Sequence, residues 1–385
     1  MKLTEVQAAL AAIAAEKLNK YGHVYLALAP RSGKSLIAAN LLRPDDNALF
    51  VTKKNAITGV RKVLDAFEVK ADVVNYESLH KVEGSIYNTF VVDEAHALSR
   101  FPKPTLAYKR LRRLIDTSYA ELGVKPRIIW LSGTPNIEAK PELFHQLSIS
   151  PHHQFSLYKN FYRWFDRYGL KGKVIYTGGP RPAIDYSETI DFSEEFNYFM
   201  VRYSMKSPKI TLEYMSMPEI GKRLYHEVKT TGVAYYQGRP IVANGPAQRR
   251  NKLQQIGGGT VIGEGATMQL FDDIAKEISK KYANAAIFYK FQEEEKLLEK
   301  FFSKEQLFQI DATSMGVDLS HFNKAVIYSL TWSGANFTQA LSRLTNVAVD
   351  NDPEVIILVK SPIDIEIVDT VLAKKDKNTK FLKGE

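Results

Sequence analysis

Cysteine does not occur among the 385 residues. Its absence excludes a disulfide framework and any thiolate-ligated metal, and it suits a reducing compartment. Long apolar runs are missing as well: none approaches the ~20 residues a membrane-spanning helix needs, so no membrane partner is expected. The opening Met1-Lys2-Leu3-Thr4-Glu5 lacks the apolar core of a signal peptide, which makes the cytoplasm the expected location. His145, His152 and His153 have no cysteine and no fitting acidic partner nearby in sequence, which disfavours a metal site there.

Acidic residues are outnumbered by basic ones, leaving a formal charge of +9, and the surplus is uneven. Between Arg202 and Lys252 there are ten basic residues against three acidic ones, and Lys109-Arg110-Leu111-Arg112-Arg113 forms a second cluster. Such patches fit a polyanion such as nucleic acid, and equally a solvated positive face. With 45% hydrophobic and 25% charged residues, the chain has the composition of a globular protein. Its length allows two core-building domains, or two and a small insert.

The most informative stretch is Val24-Tyr25-Leu26-Ala27-Leu28-Ala29-Pro30-Arg31-Ser32-Gly33-Lys34-Ser35. An apolar run empties into a tight loop ending Gly-Lys-Ser, and Leu36 to Leu42 follows with helical spacing. Strand, loop and helix in that order form the context of a phosphate-binding loop. Gly33 lets backbone N–H groups approach a phosphate, Lys34 reaches its outer oxygens, and Ser35 offers a hydroxyl to Mg²⁺. The first glycine of the full pattern is missing, replaced by Leu28, so the stretch alone also fits an ordinary strand-turn-helix.

Other strands are expected at Ala48 to Thr52, around Val73 to Tyr76, at Thr89 to Asp93 and at Arg127 to Leu131. Continuous apolar strands separated by helical stretches indicate a parallel sheet covered on both faces, with ligands at the strands' carboxyl ends. Gly33-Lys34-Ser35, Asp93-Glu94 and Ser132-Gly133-Thr134 would share that edge. The aromatic residues at 155, 158, 161, 162, 165 and 168 recur with helical period and read as core. Residues 170 to 265, rich in Gly and Pro, read as connector and insertion, with Gly257-Gly258-Gly259 as a hinge. A second α/β pattern begins with a helix near Met268 to Tyr282, followed by strands at 285–289, 307–310, 325–330 and 355–359 and helices at 292–302 and about 336–345. It contains no second Gly-Lys-Ser, and the Lys-rich end, Lys374 to Lys383, reads as a frayed tail.

Nucleotide hydrolysis needs a metal on the phosphate oxygens, a group to position water, and positive charge for the transition state. Asp93 suits the metal and Glu94 the water. With these residues in place the sequence resembles the superfamily-two helicases and translocases. Val91-Val92-Asp93-Glu94-Ala95-His96 is similar to motif II of the DEAH-spelled members, and Leu131-Ser132-Gly133-Thr134-Pro135 to motif III. Gln7 matches the upstream glutamine that reads adenine, Asp311 to Asp318 resembles motif V, and Gln339-Ala340-Leu341-Ser342-Arg343 resembles motif VI. Asn75 to Leu79, Ser150-Pro151-His152, Leu253 to Ile256 and Ile327 to Ser333 resemble the Swi/Snf-like branch, in the compact form found in bacteriophages.

The resemblance implies two tandem RecA-like domains with parallel sheets, at 1–200 and 266–385, with a basic connector at 201–265. It also implies ATP and Mg²⁺ as cofactors. Gln7, Pro30, Arg31, Ser32, Gly33, Lys34, Ser35, Asp93 and Glu94 would bind the nucleotide, with Ser35 and Asp93 on the metal. Lys34, Glu94, Gln339 and Arg343 would be catalytic, and His96, Ser132 and Thr134 would couple the motifs. Thr52, Lys53, Asn75, Tyr76, Lys290, Thr313 and Ser314 would touch the nucleic-acid backbone without reading sequence. Two departures stand out: Arg31 occupies a position where the family usually has glycine, and Asn346 one where it commonly has a second arginine. Arg31 either projects outward or adds a phosphate contact. The expectation is a monomeric ATP-dependent DNA translocase or helicase; an RNA-directed motor and a nucleotide-gated binding protein with little turnover remain the alternatives.

Overall fold

Short runs of aliphatic, β-branched and aromatic residues give six buried strands in the first half of the chain, and amphipathic segments between them supply the helices. The structure, a computed structural model, describes residues 2–135, 139–170, 172, 174–175, 183–263, 266–312, 318–345 and 352–384. It divides into two units, Met1–Met205 with Lys377–Glu385, and Lys206–Asp376.

The first unit runs α1 (Glu5–Tyr21), β1 (His23–Leu28), α2 (Lys34–Leu41), β2 (Ala48–Thr52), α3 (Ile57–Ala66), β3 (Ala71–Asn75), β4 (Thr89–Asp93), α4 (Leu106–Leu122) and β5 (Arg127–Ser132). Then follow α5 (Glu142–Ser148), α6 (Phe161–Tyr168), the two-residue strands β6 (Val174–Ile175) and β7 (Ala183–Ile184), α7 (Glu194–Asn197) and β8 (Met200–Tyr203). The sheet order is β3-β2-β4-β5-β1-β8, and neighbouring strands pair in parallel. Side chains alternate across it. Val24, Leu26 and Leu28 meet Leu10, Leu18 and Ile37 on one face, while Tyr25, Val92 and Trp130 meet Leu111, Phe144 and Trp164 on the other. Phe155, Phe161, Trp164, Phe165 and Tyr168 are buried in that second layer, so the aromatic stripe is core.

The second unit runs β9 (Lys209–Tyr214), α8 (Glu219–Thr231), β10 (Val233–Tyr236), β11 (Arg239–Val242), α9 (Pro246–Gly257), β12 (Thr260–Ile262), β13 (Thr267–Gln269), α10 (Asp273–Lys281) and β14 (Ala286–Tyr289). It continues with α11 (Gln292–Leu298), β15 (Leu307–Gln309), β16 (Lys324–Ile327), α12 (Gly334–Ser342), β17 (Glu354–Val359) and α13 (Pro362–Lys383). Its sheet order is β15-β14-β16-β17-β9, again parallel. Both units are thus α/β layers of the RecA-like kind, as expected.

Three expectations need correcting. The stretch 201–265 is not a connector: it supplies β8 to the first sheet, and β9, α8, two hairpin strands, α9 and β12 to the second unit, which begins at Lys206. Its glycines and prolines mark helix ends and turns within a packed region, where Leu224, Val228, Leu253 and Ile256 are buried. Gly257 closes α9, and the following Gly259 takes the left-handed backbone (φ 82°) that turns the chain into β12. Nor is the Lys-rich end frayed, because α13 persists to Lys383, with Asn378 and Leu382 buried.

The histidines once weighed as metal ligands are held by backbone carbonyls: His145 by Arg100 O at 2.8 Å, His152 by Pro126 O at 3.0 Å and His153 by Glu195 O at 2.8 Å. His23 meets Ser150 Oγ at 3.0 Å. Burial holds these imidazoles neutral, lowering His23 to about 2 and His145 and His153 to about 4. Unfolded imidazoles take up protons below about pH 6.5 whereas these do not. Stability should therefore be full above pH 6.5 and fall as the pH drops toward 4, by roughly 1.4 kcal/mol per pH unit for each of the three. Urea midpoints measured from pH 7.5 to 4.5 check this, and His145→Gln should flatten the slope.

Candidate active site

The carboxyl ends of β1, β4 and β5 lie at one level of the first sheet, because Asp93 pairs with Leu131 and Ser132 with Ala27. The loop after β1 therefore meets the carboxylates after β4 across the end of β5. Gly33 stands at the start of α2 with φ 88°, and no side chain caps the helix, leaving its N–H groups to an anion. Gln7 donates from Nε2 to Ser32 O (3.1 Å) and is itself fixed by a reciprocal cap with Thr4. Ser32 Oγ is buried with no hydrogen-bond partner in the protein, a polar atom that a bound phosphate would satisfy. Arg31 adopts a left-handed backbone (φ 62°), the conformation for which glycine is the usual residue. Pro30 packs where a side chain on Gly133 would have to sit, its ring 2.9 Å from such a Cβ.

Lys34 reaches back over the loop, donating to Leu28 O (3.1 Å) and Ala29 O (3.2 Å). Burial lowers its pKa, while the charges of Glu94 and Asp93 act the other way. Asp93 is buried and accepts from Thr52 Oγ1 (2.7 Å) and from Glu94 N (3.0 Å). Burial and the adjacent Glu94 push its carboxyl up to about 6, against the pull of Thr52 and Lys34. For Glu94, burial acts upward but is outweighed by His96, Lys34 and Lys53, which hold it below the usual value. His96 Nδ1 lies 3.3 Å from Glu94 Oε2, 3.2 Å from Ser132 Oγ and 3.4 Å from Thr134 Oγ1. Burial lowers the His96 pKa, partly offset by Glu94.

A buried Asp93 repelled by the half-buried Glu94, next to an uncapped helix start, fits a divalent cation. Among the described residues no group of three His, Asp or Glu gathers to hold one. Mg²⁺ would instead take Asp93, the Ser35 hydroxyl, phosphate oxygens and water, as that ion ordinarily does.

Several residues expected on nucleic acid are turned inward. Thr52, Asn75 and Tyr76 are buried: Thr52 binds Asp93, Asn75 Oδ1 caps Ser78 N (2.8 Å), and Tyr76 hydroxyl donates to Asp93 O (2.5 Å). Thr52 and Tyr76 thus serve the acid pair and Asn75 the turn that follows β3, while Lys53 is exposed. In the second unit, Lys290 ends β14 and donates to Gln254 Oε1 (2.8 Å). Gln339 lies on α12, and Arg343 at its end is buried, its Nη2 3.4 Å from Ala312 O. Thr313, Ser314 and Asn346 fall outside the described residues.

Sequence reading missed Gln146 on α5. It is fully buried, accepts from Tyr25 OH (2.5 Å), and donates to Ser99 Oγ (2.7 Å) and Pro135 O (2.6 Å). It also missed Asn378, whose Nδ2 donates to Gly133 O at 3.1 Å. Neither carries a local signal, since both bonds span distant segments.

Fold and site together define a protein of two α/β units of the RecA-like kind, the first with an uncapped helix start beside an acid pair at its sheet edge. No family model matches the chain, and no curated protein matches it. A solved structure, the ATP-dependent Type ISP restriction-modification enzyme LlaBIII bound to DNA, is similar with a TM-score of 0.55 and 12% identity, over 99% of this chain and 30% of that one. The chain spans under a third of that protein's length, and at this identity the likeness shows the fold alone. Among the described residues no helix is long and apolar enough to cross a membrane.

A Cβ at Gly33 would come 2.2 Å from Gln7 Nε2, in a backbone region that side chains avoid. Gly33→Ala should thus weaken binding of a fluorescent ATP analogue at least tenfold and lower stability by about 1–2 kcal/mol, read by titration and thermal melting.

Proposed function

We propose that the chain is an ATP-driven nucleic-acid translocase or helicase acting on DNA. The observation that carries this reading is the meeting of Lys34, Asp93 and Glu94 at one sheet edge, close enough for the Lys34 charge to act on both carboxyls and for both to act on it. Gly33 and the start of α2 hold the phosphates, Ser32 and Lys34 contact their oxygens, and Gln7 fixes the loop beside the adenine. Ser35 and Asp93 would hold Mg²⁺, which when bound would supply positive charge to the phosphate oxygens. Glu94 orients the attacking water and takes its proton, with its carboxylate kept ionised by His96 and Lys34. Gln339 and Arg343 are assigned to the same reaction by their likeness to motif VI, Arg343 as the source of transition-state charge.

The exposed Lys53 and the basic residues of α4 suit a phosphate backbone, so binding is insensitive to sequence and steeply dependent on salt. Support for DNA comes from the solved relative, which is bound to DNA. The motif spellings at 75–79 and 327–333 favour the Swi/Snf-like branch, in a compact, phage-type, cytoplasmic monomer.

The test is ATP turnover at one salt concentration with no nucleic acid, single-stranded DNA, duplex, forked DNA and RNA. Stimulation by DNA is expected, with Glu94→Gln abolishing turnover and Arg343→Ala lowering it about 10³-fold or more. Stimulation by RNA alone would redirect the reading to an RNA motor. Tight ATP-dependent binding with negligible turnover would make the chain a nucleotide-gated clamp.

A further inference from the structure

We propose that Tyr76 is a positioning residue that holds the backbone of Glu94 in its working conformation. The inference rests on the proposed ATPase reading and concerns a side chain that touches no substrate.

Glu94 has φ 51° and ψ 50°, a left-handed conformation that a residue with a Cβ keeps only when its surroundings over-determine it. Sheet pairing secures the chain up to that point and no further: β5 pairs as far as Asp93, and β2 only as far as Val92. The next fastening is the Tyr76 hydroxyl, 2.5 Å from Asp93 O and 3.4 Å from Glu94 O, so one donor spans both carbonyls of the turn. Its ring is part of the core shared by Tyr25, Val92 and Ala95. The short 3-10 helix it opens, Tyr76–Val82, is pinned by Asn75 Oδ1 accepting from Ser78 N. Bonds from Ala97 N to Glu94 O (2.8 Å) and from Glu94 N to Asp93 Oδ1 (3.0 Å) tighten the turn but lie within it. Among the described residues, Tyr76 is the side chain that ties it to a separate strand end through its carbonyls.

Without the hydroxyl, the peptide at 93–94 is free to relax toward ordinary φ, which swings the Glu94 carboxylate away from His96. Phosphate contacts made by the loop after β1 do not pass through Tyr76. The loss should therefore appear in kcat and leave nucleotide affinity unchanged.

The experiment compares full-length wild type and Tyr76→Phe, which keeps the ring and removes one oxygen. With DNA present, kcat should fall roughly 10²-fold, as for a misplaced catalytic group, with KM for ATP and the thermal midpoint little changed. Crystal structures of both proteins supply a readout independent of activity, in which Glu94 should leave positive φ in the variant. Wild-type kcat in Tyr76→Phe, a change in KM alone, or Glu94 still left-handed beside His96 would overturn the proposal. A wild type that hydrolyses no ATP would instead defeat the proposed function, and the crystallographic comparison would still decide the role of Tyr76.

Discussion

Two adjacent carboxylates at one strand end, Asp93 buried and Glu94 partly so, are the constraint that organises the first unit. Burial and mutual repulsion make it costly to ionise both, and they push the Asp93 carboxyl up to about 6. The neighbours answer it in kind: Thr52 and a main-chain N–H donate to Asp93, His96 faces Glu94, and Lys34 lies near both. What remains unsatisfied is positive charge, which a divalent cation and its phosphates would bring. An arrangement that is uncomfortable alone is thereby prepared for a charged ligand, as preorganised electrostatic sites generally are.

The second unit contains a buried ionic network at the same edge of its own sheet. Glu294 accepts from Lys290 N and Phe291 N, each at 3.1 Å, and from Ser329 Oγ at 2.5 Å. Lys360 donates to Ser329 Oγ (3.1 Å) and to Tyr328 O. Burial raises the Glu294 pKa, and the Lys360 charge opposes it. These bonds join the ends of β14, β16 and β17, and Gln254 from α9 holds Lys290 beside them. Residues between 201 and 265 therefore help to build this edge, so their basic surplus is no sign of a loose tether.

Backbone strain in the first unit gathers near the same place. Arg31 and Glu94, two of the four non-glycine residues with positive φ among the described residues, lie in the loop and the acid pair. Such conformations persist where surrounding contacts fix them, and here those contacts come from distant segments: Gln7 on the loop, Tyr76 on the acid turn.

By itself the sequence determined what depends on neighbours along the chain. Apolar runs alternating with helical spacing announced two parallel α/β layers, the Gly-Lys-Ser turn announced a phosphate cradle, and the aromatic stripe announced core. Tertiary structure alone decided which way the polar side chains between those elements point. Thr52, Asn75 and Tyr76 sit at strand ends where an outward contact and an inward bond have the same spelling, and only the pairing of β2, β3 and β4 turned Thr52 and Tyr76 toward Asp93 and left Asn75 to cap Ser78. The roles of β8, β9, Gln146 and Asn378 were decided in the same way. Hydrophobic period reports which face is buried, whereas a strand partner or a hydrogen bond across more than a hundred residues exists only once the chain has folded.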